Sequence, residues 1–309
     1  MNPVSDSPVL SIVGTTASGK SSIAMALARE IPNVEIVSID SMQVYRGMDI
    51  GTAKPSVQDQ IEVAHHMIDL VDPSIEYSLS EFQREAINAI EEIEGRGAVP
   101  LLVGGTGLHL RAVIDNFEIP KQYPTVGKEL SGEVDTTKLH KLLTQLDPVA
   151  ADRMENTNRR RVLRALEVTL GSGRPFSSYG PGMQKYGPTR FRMAAPKWER
   201  EEVNRRIDER FKKQMEMGFL EEVRELNRNS EGLSRTARQA LGYRQFLDHL
   251  DGVFSLDEAI DVAKRQTRKF ARRQERWFMR DPRIQWFDIE RNPLEMLPVL
   301  MKEWRHATS

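Results

Sequence analysis

The sequence contains no cysteine and only six histidines among its 309 residues. The absence of cysteine excludes disulfides, thiolate zinc sites and cysteine nucleophiles. The histidines are too scattered along the chain to form a cluster with metal-ligand spacing. Any metal is therefore expected to be Mg2+ held by oxygen atoms.

Long apolar runs are also missing. No segment approaches the roughly 20 apolar residues that a membrane helix requires, and residues 1–8 lack the basic and then apolar pattern of a signal peptide. We therefore expect a cytoplasmic protein with no membrane partner. The length predicts about two domains, and the 39% hydrophobic content supports a core large enough for the chain to fold alone, as a monomer.

Positive charge is scarce in the first third of the chain. Residues 1–110 contain 6 Lys and Arg against 15 Asp and Glu, whereas residues 155–280 contain 28 against 18. The basic excess in the second half favours a polyanionic partner. Solvated helices with ion pairs on their surfaces would give the same composition, so charge alone leaves both interpretations open.

Strands and helices alternate in the first part of the sequence. Apolar runs predict strands at residues 9–13, 34–39 and 99–103, and helical periodicity predicts helices at residues 22–30 and 80–94. The second helix is expected to begin at Ser80 and to end at Gly95. This order predicts an α/β fold with a parallel sheet, whose ligands bind beyond the carboxyl ends of the strands. The turn after the first strand, Asp40 and Thr106 should therefore converge in one crevice.

The middle of the chain differs in composition. It begins with two prolines, Pro120 and Pro124. Two helical stretches follow, at residues 137–145 and 159–170, and a run rich in Gly, Pro and Ser, residues 171–188, ends it. We predict a mostly helical insertion at residues 116–188, between two parts of one core at residues 1–115 and 189–309. One strand and three charged helices are predicted in the second part, at residues 190–194, 198–217, 219–227 and 256–280.

A complete P-loop motif lies between the first strand and the first helix. It consists of Gly14, Thr15, Thr16, Ala17, Ser18, Gly19, Lys20 and Ser21. Its glycines let backbone N–H groups surround phosphate oxygens, and the amino terminus of the helix adds a favourable dipole. Lys20 supplies a positive charge, and the Ser21 hydroxyl can bind Mg2+. The motif in this context predicts a substrate that carries a diphosphate.

A P-loop normally predicts ATP or GTP, but the other features of an NTPase are weak here. In an NTPase a second apolar strand ends in an acidic residue for magnesium and water, whereas residues 99–103 run into Gly104, Gly105, Thr106 and Gly107. Asp40 does end a strand. However, the residue types at positions 40–55, which begin with Asp40, do not by themselves indicate a motif that recognises a particular nucleotide.

The sequence resembles the tRNA dimethylallyltransferase family of bacterial type, also called tRNA isopentenyltransferases. The resemblance covers nearly the whole chain, and residues 40–55 are its most specific part. Besides these and the P-loop, the matching segments are residues 65–69, 102–108, 164–167, 239–244 and 267–278.

The resemblance implies a P-loop NTPase-like parallel sheet flanked by helices, and Mg2+-assisted transfer of a dimethylallyl group. The donor would be dimethylallyl diphosphate and the acceptor the N6 amine of the adenosine 3′ of the anticodon in tRNA. The P-loop and Arg210 would bind the prenyl diphosphate, and Asp40, Thr106 and Lys20 would be catalytic. Residues implied to contact the anticodon stem-loop are Asp40, Ser41, Met42, Gln43, Thr106, Lys128, Arg160, Arg161, Val162, Leu163, Arg164, Gln239, Ala240, Leu241, Gly242, Tyr243 and Arg244.

The residue types agree with such a reaction. A base inside a stacked loop cannot reach a buried diphosphate, so it must be flipped out and recognised by hydrogen bonds, for which Ser41 and Gln43 have suitable groups. Asp40 is expected to be the general base. The alternative is that Asp40 holds magnesium through water. Arginines at residues 159–164 and the basic helix at residues 256–280 can bind phosphates.

Other interpretations stay open. Arg206 and Arg210 are spaced i, i+4, which suits either a diphosphate clamp or an ion-pair ladder with Glu202. For Lys128, a solvated lysine is favoured over a contact with RNA. The chain could also be a small-molecule kinase, a non-catalytic RNA-binding or NTP-switch protein, or a transferase acting on free adenine nucleotides. Four residues depart from the usual family pattern, with effects expected on local packing alone: Thr15, His109, Lys212 and Gln214.

Overall fold

The computed structural model describes residues 7–228 and 231–308. Residues 229, 230 and 309 lie outside the described residues. So do residues 1–6, which are part of the segment predicted not to be a signal peptide. The chain divides into two compact units, one formed by Met1–Asp115 with Pro188–Ser309 and the other by Asn116–Gly187. No helix among the described residues is long and apolar enough to cross a membrane.

A parallel sheet forms the centre of the first unit. Its six strands within the described residues are Val9–Val13 (β1), Val34–Ile39 (β2), His65–His66 (β3), Val99–Gly104 (β4), Phe191–Lys197 (β5) and Ile284–Asp288 (β6). The strand order is β3-β2-β4-β1-β5-β6, and each neighbouring pair is parallel. The predicted α/β fold with a parallel sheet is confirmed.

Helices connect these strands and complete both units. Those before residue 116 are Lys20–Glu30 (α1), Val57–Glu62 (α2), Leu79–Gly95 (α3) and Gly107–Ile114 (α4). Those of the second unit are Pro124–Ser131 (α5), Thr136–Leu146 (α6), Pro148–Asp152 (α7) and Arg159–Ser172 (α8). Those that follow are Arg200–Glu216 (α9), Phe219–Arg228 (α10), Arg235–Arg238 (α11), Tyr243–Leu250 (α12), Leu256–Phe278 (α13) and Leu297–Thr308 (α14).

Helix α3 begins at Leu79, one residue before the predicted start at Ser80. Ser78, not Ser80, caps the helix, because its hydroxyl accepts a hydrogen bond from the Glu81 N–H at 3.2 Å. Glu81 in turn accepts one from the Ser78 N–H at 2.8 Å. This reciprocal capping box satisfies two backbone donors at once.

Both faces of the sheet are buried. Leu10 and Ile12 of β1 pack into an apolar layer that includes Leu27 of α1. Val9 and Val13, whose side chains point the other way, pack into a second layer that includes helices α3, α4 and α13. Helices on both faces explain why all five residues of β1 are buried and why four of them are apolar, Ser11 being the exception.

The second unit, Asn116–Gly187, has a small core of its own. Leu139 and Leu143 of α6 pack with Ala151 of α7 and with Val162 and Leu166 of α8, and all five side chains are buried. Apolar residues at helical spacing on α6 and α8 therefore hold this unit together.

Candidate active site

The loops after β1, β4 and β2 lie side by side, because these strands are neighbours in the sheet. The P-loop follows β1, Thr106 follows β4 and Asp40 follows β2. The Ser41 N–H lies 3.4 Å from Thr106 Oγ1, and the Thr106 N–H lies 3.4 Å from the Ile39 carbonyl. The structure thus brings the three segments into one crevice.

The P-loop is held in a costly backbone conformation. Ala17 has a φ of 62°, a left-handed value that is unfavourable for any residue with a Cβ. Two side chains fix the loop there: Arg206 Nε donates to the Ala17 carbonyl at 2.7 Å, and Trp198 Nε1 donates to the Ser18 carbonyl at 2.9 Å. The Arg206 guanidinium also lies 4.4 Å from the centre of the Trp198 ring. Helix α1 then begins at Lys20, so its free N–H groups lie at the end of the loop.

Gln274 joins the P-loop to the loop after β4. Its Oε1 accepts a hydrogen bond from the Thr16 N–H at 2.8 Å, and its Nε2 donates to the Gly105 carbonyl at 2.8 Å. No role for Gln274 was predicted from the sequence. A signal was available, since one long polar side chain interrupts the buried face of α13, formed by Ala259, Ala263, Thr267, Ala271, Gln274 and Phe278.

Three charged groups meet beside the P-loop. Lys20 Nζ donates to the Thr15 carbonyl at 2.6 Å, and Arg210 Nη1 donates to Thr16 Oγ1 at 2.7 Å. Asp40 is the third group, and its Oδ1 accepts a hydrogen bond from the Met42 N–H at 2.8 Å. Arg210 Nε is buried and has no hydrogen-bond partner among the described residues. Because an unsatisfied buried donor is unfavourable, a bound anion would gain from filling this position.

The crevice shifts the pKa values of all three groups. Burial raises the pKa of Asp40 above its ordinary value, although the Met42 N–H and the Lys20 ammonium oppose that rise. Burial lowers the pKa of Lys20 to about 8, against the attraction of Asp40. Burial likewise lowers the pKa of Arg210, and Asp40 again opposes the change. A carboxylate with a raised pKa is a stronger base, and a desolvated lysine gains more from a bound anion.

The predicted adenosine-binding residues Ser41, Met42 and Gln43 form the turn after Asp40 and are half-buried. The Gln43 amide is already engaged. Its Oε1 accepts a hydrogen bond from Ser38 Oγ at 2.7 Å, and its Nε2 lies 3.3 Å from the carbonyls of Thr52 and of Ala53. Recognition of a base by Gln43 would require that it exchange at least one of these bonds.

Helix α8 carries predicted tRNA contacts of two kinds. Arg160 and Arg161 are exposed, and their side chains make no hydrogen bond or ion pair within the described part of the chain. Val162 is fully buried in the core of its unit, and Leu163 packs against that core. The Arg164 guanidinium donates hydrogen bonds to the Glu167 carboxylate at 2.8 Å and to the Pro120 carbonyl at 2.7 Å. Side-chain contact with RNA is thus available at Arg160 and Arg161, whereas the buried Val162 side chain offers RNA no surface.

The other predicted tRNA contacts divide in the same way. Lys128 on α5, Gln239 and Arg244 are exposed, and Leu241 is half-buried. Ala240, Gly242 and Tyr243 are buried, so the side chains of Ala240 and Tyr243 are packed in the protein and offer RNA no surface. The Tyr243 hydroxyl donates to Glu222 at 2.6 Å.

The departures from the usual family pattern affect local contacts. Thr15 contributes its backbone carbonyl to Lys20. His109 lies edge-on to Phe82 with 4.7 Å between ring centres, and burial lowers its pKa to about 4. Gln214 is buried, and its Nε2 donates to the Ile50 carbonyl at 2.6 Å.

Comparison with known sequences gives consistent matches over the chain. A family model described as IPP transferase matches residues 43–281, and one described as isopentenyl transferase matches residues 7–73. The tRNA dimethylallyltransferase of Carboxydothermus hydrogenoformans is 43% identical over 93% of this chain and 93% of its own. That of Kineococcus radiotolerans is 40% identical over 94% of this chain and 97% of its own.

Solved structures give the same result. The tRNA isopentenylpyrophosphate transferase of Bacillus halodurans matches with a TM-score of 0.70 and 36% identity over 98% of both chains. A eukaryotic dimethylallyltransferase acting on tRNA matches with a TM-score of 0.75 and 28% identity, over 91% of this chain and 73% of that one. Together with the P-loop crevice, these matches show that the chain belongs to the IPP transferase family.

Proposed function

We propose that this chain transfers a dimethylallyl group from dimethylallyl diphosphate to the N6 amine of the adenosine 3′ of the anticodon in tRNA. The relatives compared above are named tRNA dimethylallyltransferases. One observation carries the proposal: the carboxylate of Asp40, which follows β2, is desolvated together with two cations, Lys20 at the start of α1 and Arg210 on α9.

The cations suit the diphosphate. As the bond from the prenyl carbon to oxygen breaks, its electron pair passes to the diphosphate, and negative charge grows on the leaving group. Lys20, the buried Nε of Arg210 and the N–H groups at the start of α1 stabilise that charge. Because these groups are held in place before the reaction, they need no costly reorganisation in the transition state.

The carboxylate suits the acceptor amine. The lone pair of N6 is delocalised into the adenine ring, so bond formation from N6 to the prenyl carbon must be accompanied by loss of one N6 proton. The Asp40 carboxylate takes that proton, and its raised pKa makes it better suited to do so. The Thr106 hydroxyl, 3.4 Å from the Ser41 N–H beside Asp40, helps to orient the amine.

Magnesium fits the site through oxygen ligands. The Ser21 hydroxyl is exposed near the start of α1, and the described residues contain no group of three or more His, Asp or Glu side chains able to hold a metal by themselves. Mg2+ would therefore be held by Ser21, by water and by diphosphate oxygens, in keeping with its preference to retain water. When bound, it would supply further positive charge at the leaving group.

Incubation with labelled dimethylallyl diphosphate, Mg2+ and bulk tRNA tests the proposal. Label should enter RNA, and digestion should release N6-isopentenyladenosine, whereas Asp40→Asn should give neither. A parallel incubation with AMP separates tRNA from free nucleotides, because equal or better transfer to AMP would contradict the assigned acceptor. Calorimetry with ATP and with dimethylallyl diphosphate separates the transferase from a kinase, which would bind ATP more tightly.

A further inference from the structure

Glu222 on α10 binds a turn that lies outside the crevice. Its Oε2 accepts hydrogen bonds from the N–H groups of Asp49 at 2.9 Å and Ile50 at 2.7 Å. Its Oε1 accepts from the Gly51 N–H at 3.1 Å and from the Tyr243 hydroxyl at 2.6 Å. Four donors thus meet on one carboxylate, and bonds to an ionised acceptor are the stronger kind.

The same turn, residues 49–51, is also held through its carbonyls. Gln214 Nε2 donates to the Ile50 carbonyl at 2.6 Å and lies 3.2 Å from the Gly51 carbonyl. A Cβ atom added at Gly51 would lie 2.3 Å from the Phe219 ring and 2.4 Å from the Tyr243 ring. Glycine at this position therefore lets two aromatic rings close directly on the turn.

Short connections lead from this turn to the catalytic segment. Thr52 Oγ1 donates to the Met48 carbonyl at 2.6 Å, which ties the two flanks of the turn together. Gln43 Nε2 lies 3.3 Å from the carbonyls of Thr52 and Ala53. Because Gln43 is only three residues from Asp40, a displacement of the turn would be passed to the segment at residues 40–43.

Tyr243 connects Glu222 to a second segment. Its ring is fully buried and lies edge-on to Phe219, with 5.0 Å between ring centres. Its backbone begins α12, directly before the exposed Arg244 and four residues after the exposed Gln239. Glu222 is therefore bonded directly to the segment at residues 239–244 and, through the turn and Gln43, is connected to the segment at residues 40–43.

We propose that Glu222 is a positioning residue for the transfer reaction. It fixes the turn at residues 49–51 and, through Gln43, the segment at residues 40–43. Through Tyr243 it couples that segment to the surface at Gln239 and Arg244. The segment at residues 40–43 is thereby held in a fixed position relative to tRNA bound at that surface. This inference rests on the proposed function.

Glu222→Gln tests the proposal, because it keeps the side-chain shape but removes the charge and one acceptor oxygen. We expect kcat to fall about tenfold, in line with the loss of hydrogen bonds to a charged group. The KM for dimethylallyl diphosphate should stay within about twofold, since none of the hydrogen bonds of Glu222 reaches the P-loop. Amide hydrogen exchange in a peptide covering residues 49–51 should be faster. Glu221→Gln is the matched control, because Glu221 is exposed and pairs with Arg224 on the same helix.

Two results would overturn the proposal. If Glu222→Gln had faster amide hydrogen exchange at residues 49–51 but an unchanged kcat, Glu222 would stabilise the turn without positioning the reacting groups. A parallel loss of diphosphate binding would show a general structural defect. The exchange measurement requires no transfer, so a wild-type protein without transferase activity would refute the proposed function, while exchange would still decide whether Glu222 holds the turn.

Tyr243→Phe is a second, independent test of the proposal. It can be used even if Glu222→Gln does not fold. The substitution removes one hydroxyl and leaves the ring and the three amide bonds to Glu222 in place. We expect the KM for tRNA to rise severalfold and the KM for dimethylallyl diphosphate to stay unchanged. An unchanged KM for tRNA would contradict the coupling between the two segments.

Discussion

Charged side chains are used differently in the crevice and in the unit Asn116–Gly187. In the crevice, Lys20, Asp40 and Arg210 are desolvated, and each is held by a hydrogen bond, Lys20 and Arg210 to the P-loop and Asp40 to the Met42 N–H. On α8, Arg160 and Arg161 are exposed and make no such bonds within the described residues. The difference indicates that bond-making chemistry depends on charges fixed in advance, whereas binding to a phosphate backbone depends on charge number and tolerates mobile side chains.

Asp40→Asn should give the largest effect. The amide keeps the shape and can still accept the Met42 hydrogen bond, but it cannot take a proton, so turnover should fall about 10²- to 10⁴-fold. Both substrates should still bind. Because burial raises the pKa of Asp40, the ionised form is disfavoured in the folded state at neutral pH. The melting temperature should therefore rise in the variant while activity is lost, as thermal denaturation would show.

Magnesium titration separates the two roles considered for Asp40. If Asp40 is the base, high magnesium leaves the variant inactive. Rescue of turnover by added magnesium would instead identify Asp40 as a metal ligand through water. A fall in melting temperature would contradict the unfavourable burial of the carboxylate.

Lys20→Ala should have the next largest effect. Loss of a preorganised charge beside the leaving group should lower kcat about 10²- to 10³-fold. Lys141→Ala removes the same charge from an exposed position on α6 and serves as the control. Single-turnover measurement with saturating substrates gives the comparison directly. Near-normal turnover in Lys20→Ala would rule out the assigned role of the P-loop.

Much of the fold follows from local patterns in the sequence. The order of strand, loop and helix follows from the apolar runs of β1, β2 and β4 and from the P-loop motif between β1 and α1. The short strand β3, at His65–His66, has only two residues and carries no periodic signal. Strand β5 extends to Lys197, three residues beyond the predicted end, because pairing with β6 continues to Lys197 and Asp288. Pairing between distant segments is not visible in a local pattern.

The candidate site was predictable to a similar degree. The motif residues Asp40, Thr106 and Lys20 follow from strand ends and from the P-loop. Trp198 and Gln274 reach the P-loop from far along the chain, by hydrogen bonds to backbone groups. Such contacts involve no partner side chain that a sequence pattern could pair with them, so the geometry of the folded chain was needed to find them.

Replacement of both Arg160 and Arg161 by Ala should weaken tRNA binding more modestly. Each lost phosphate contact lowers the slope of log affinity against log salt by about 0.7 to 0.9, whereas affinity for dimethylallyl diphosphate should not change. Arg164→Ala is the contrasting variant. Because Arg164 binds Glu167 and the Pro120 carbonyl, its loss should lower the melting temperature and leave the salt slope nearly intact. Equal salt slopes for the double variant and the wild type would contradict an RNA-binding role for Arg160 and Arg161.

The smallest expected effect is a pH dependence of diphosphate binding. Burial lowers the pKa of Lys20 to about 8 in the free protein, so the side chain is largely an ammonium below pH 8 and largely neutral above it. A bound diphosphate favours the ammonium and raises that pKa, which links binding to proton uptake. Affinity should therefore be constant below about pH 7 and should fall with rising pH above 8, by at most about tenfold per pH unit.

Calorimetry in buffers of different ionisation enthalpy, at pH 7, 8 and 9, would measure this proton uptake as it increases. Lys20→Arg keeps its charge throughout this range and should flatten the dependence. The same uptake in both proteins would assign the proton to another group, and no uptake in the wild type would show that Lys20 is charged before the diphosphate binds.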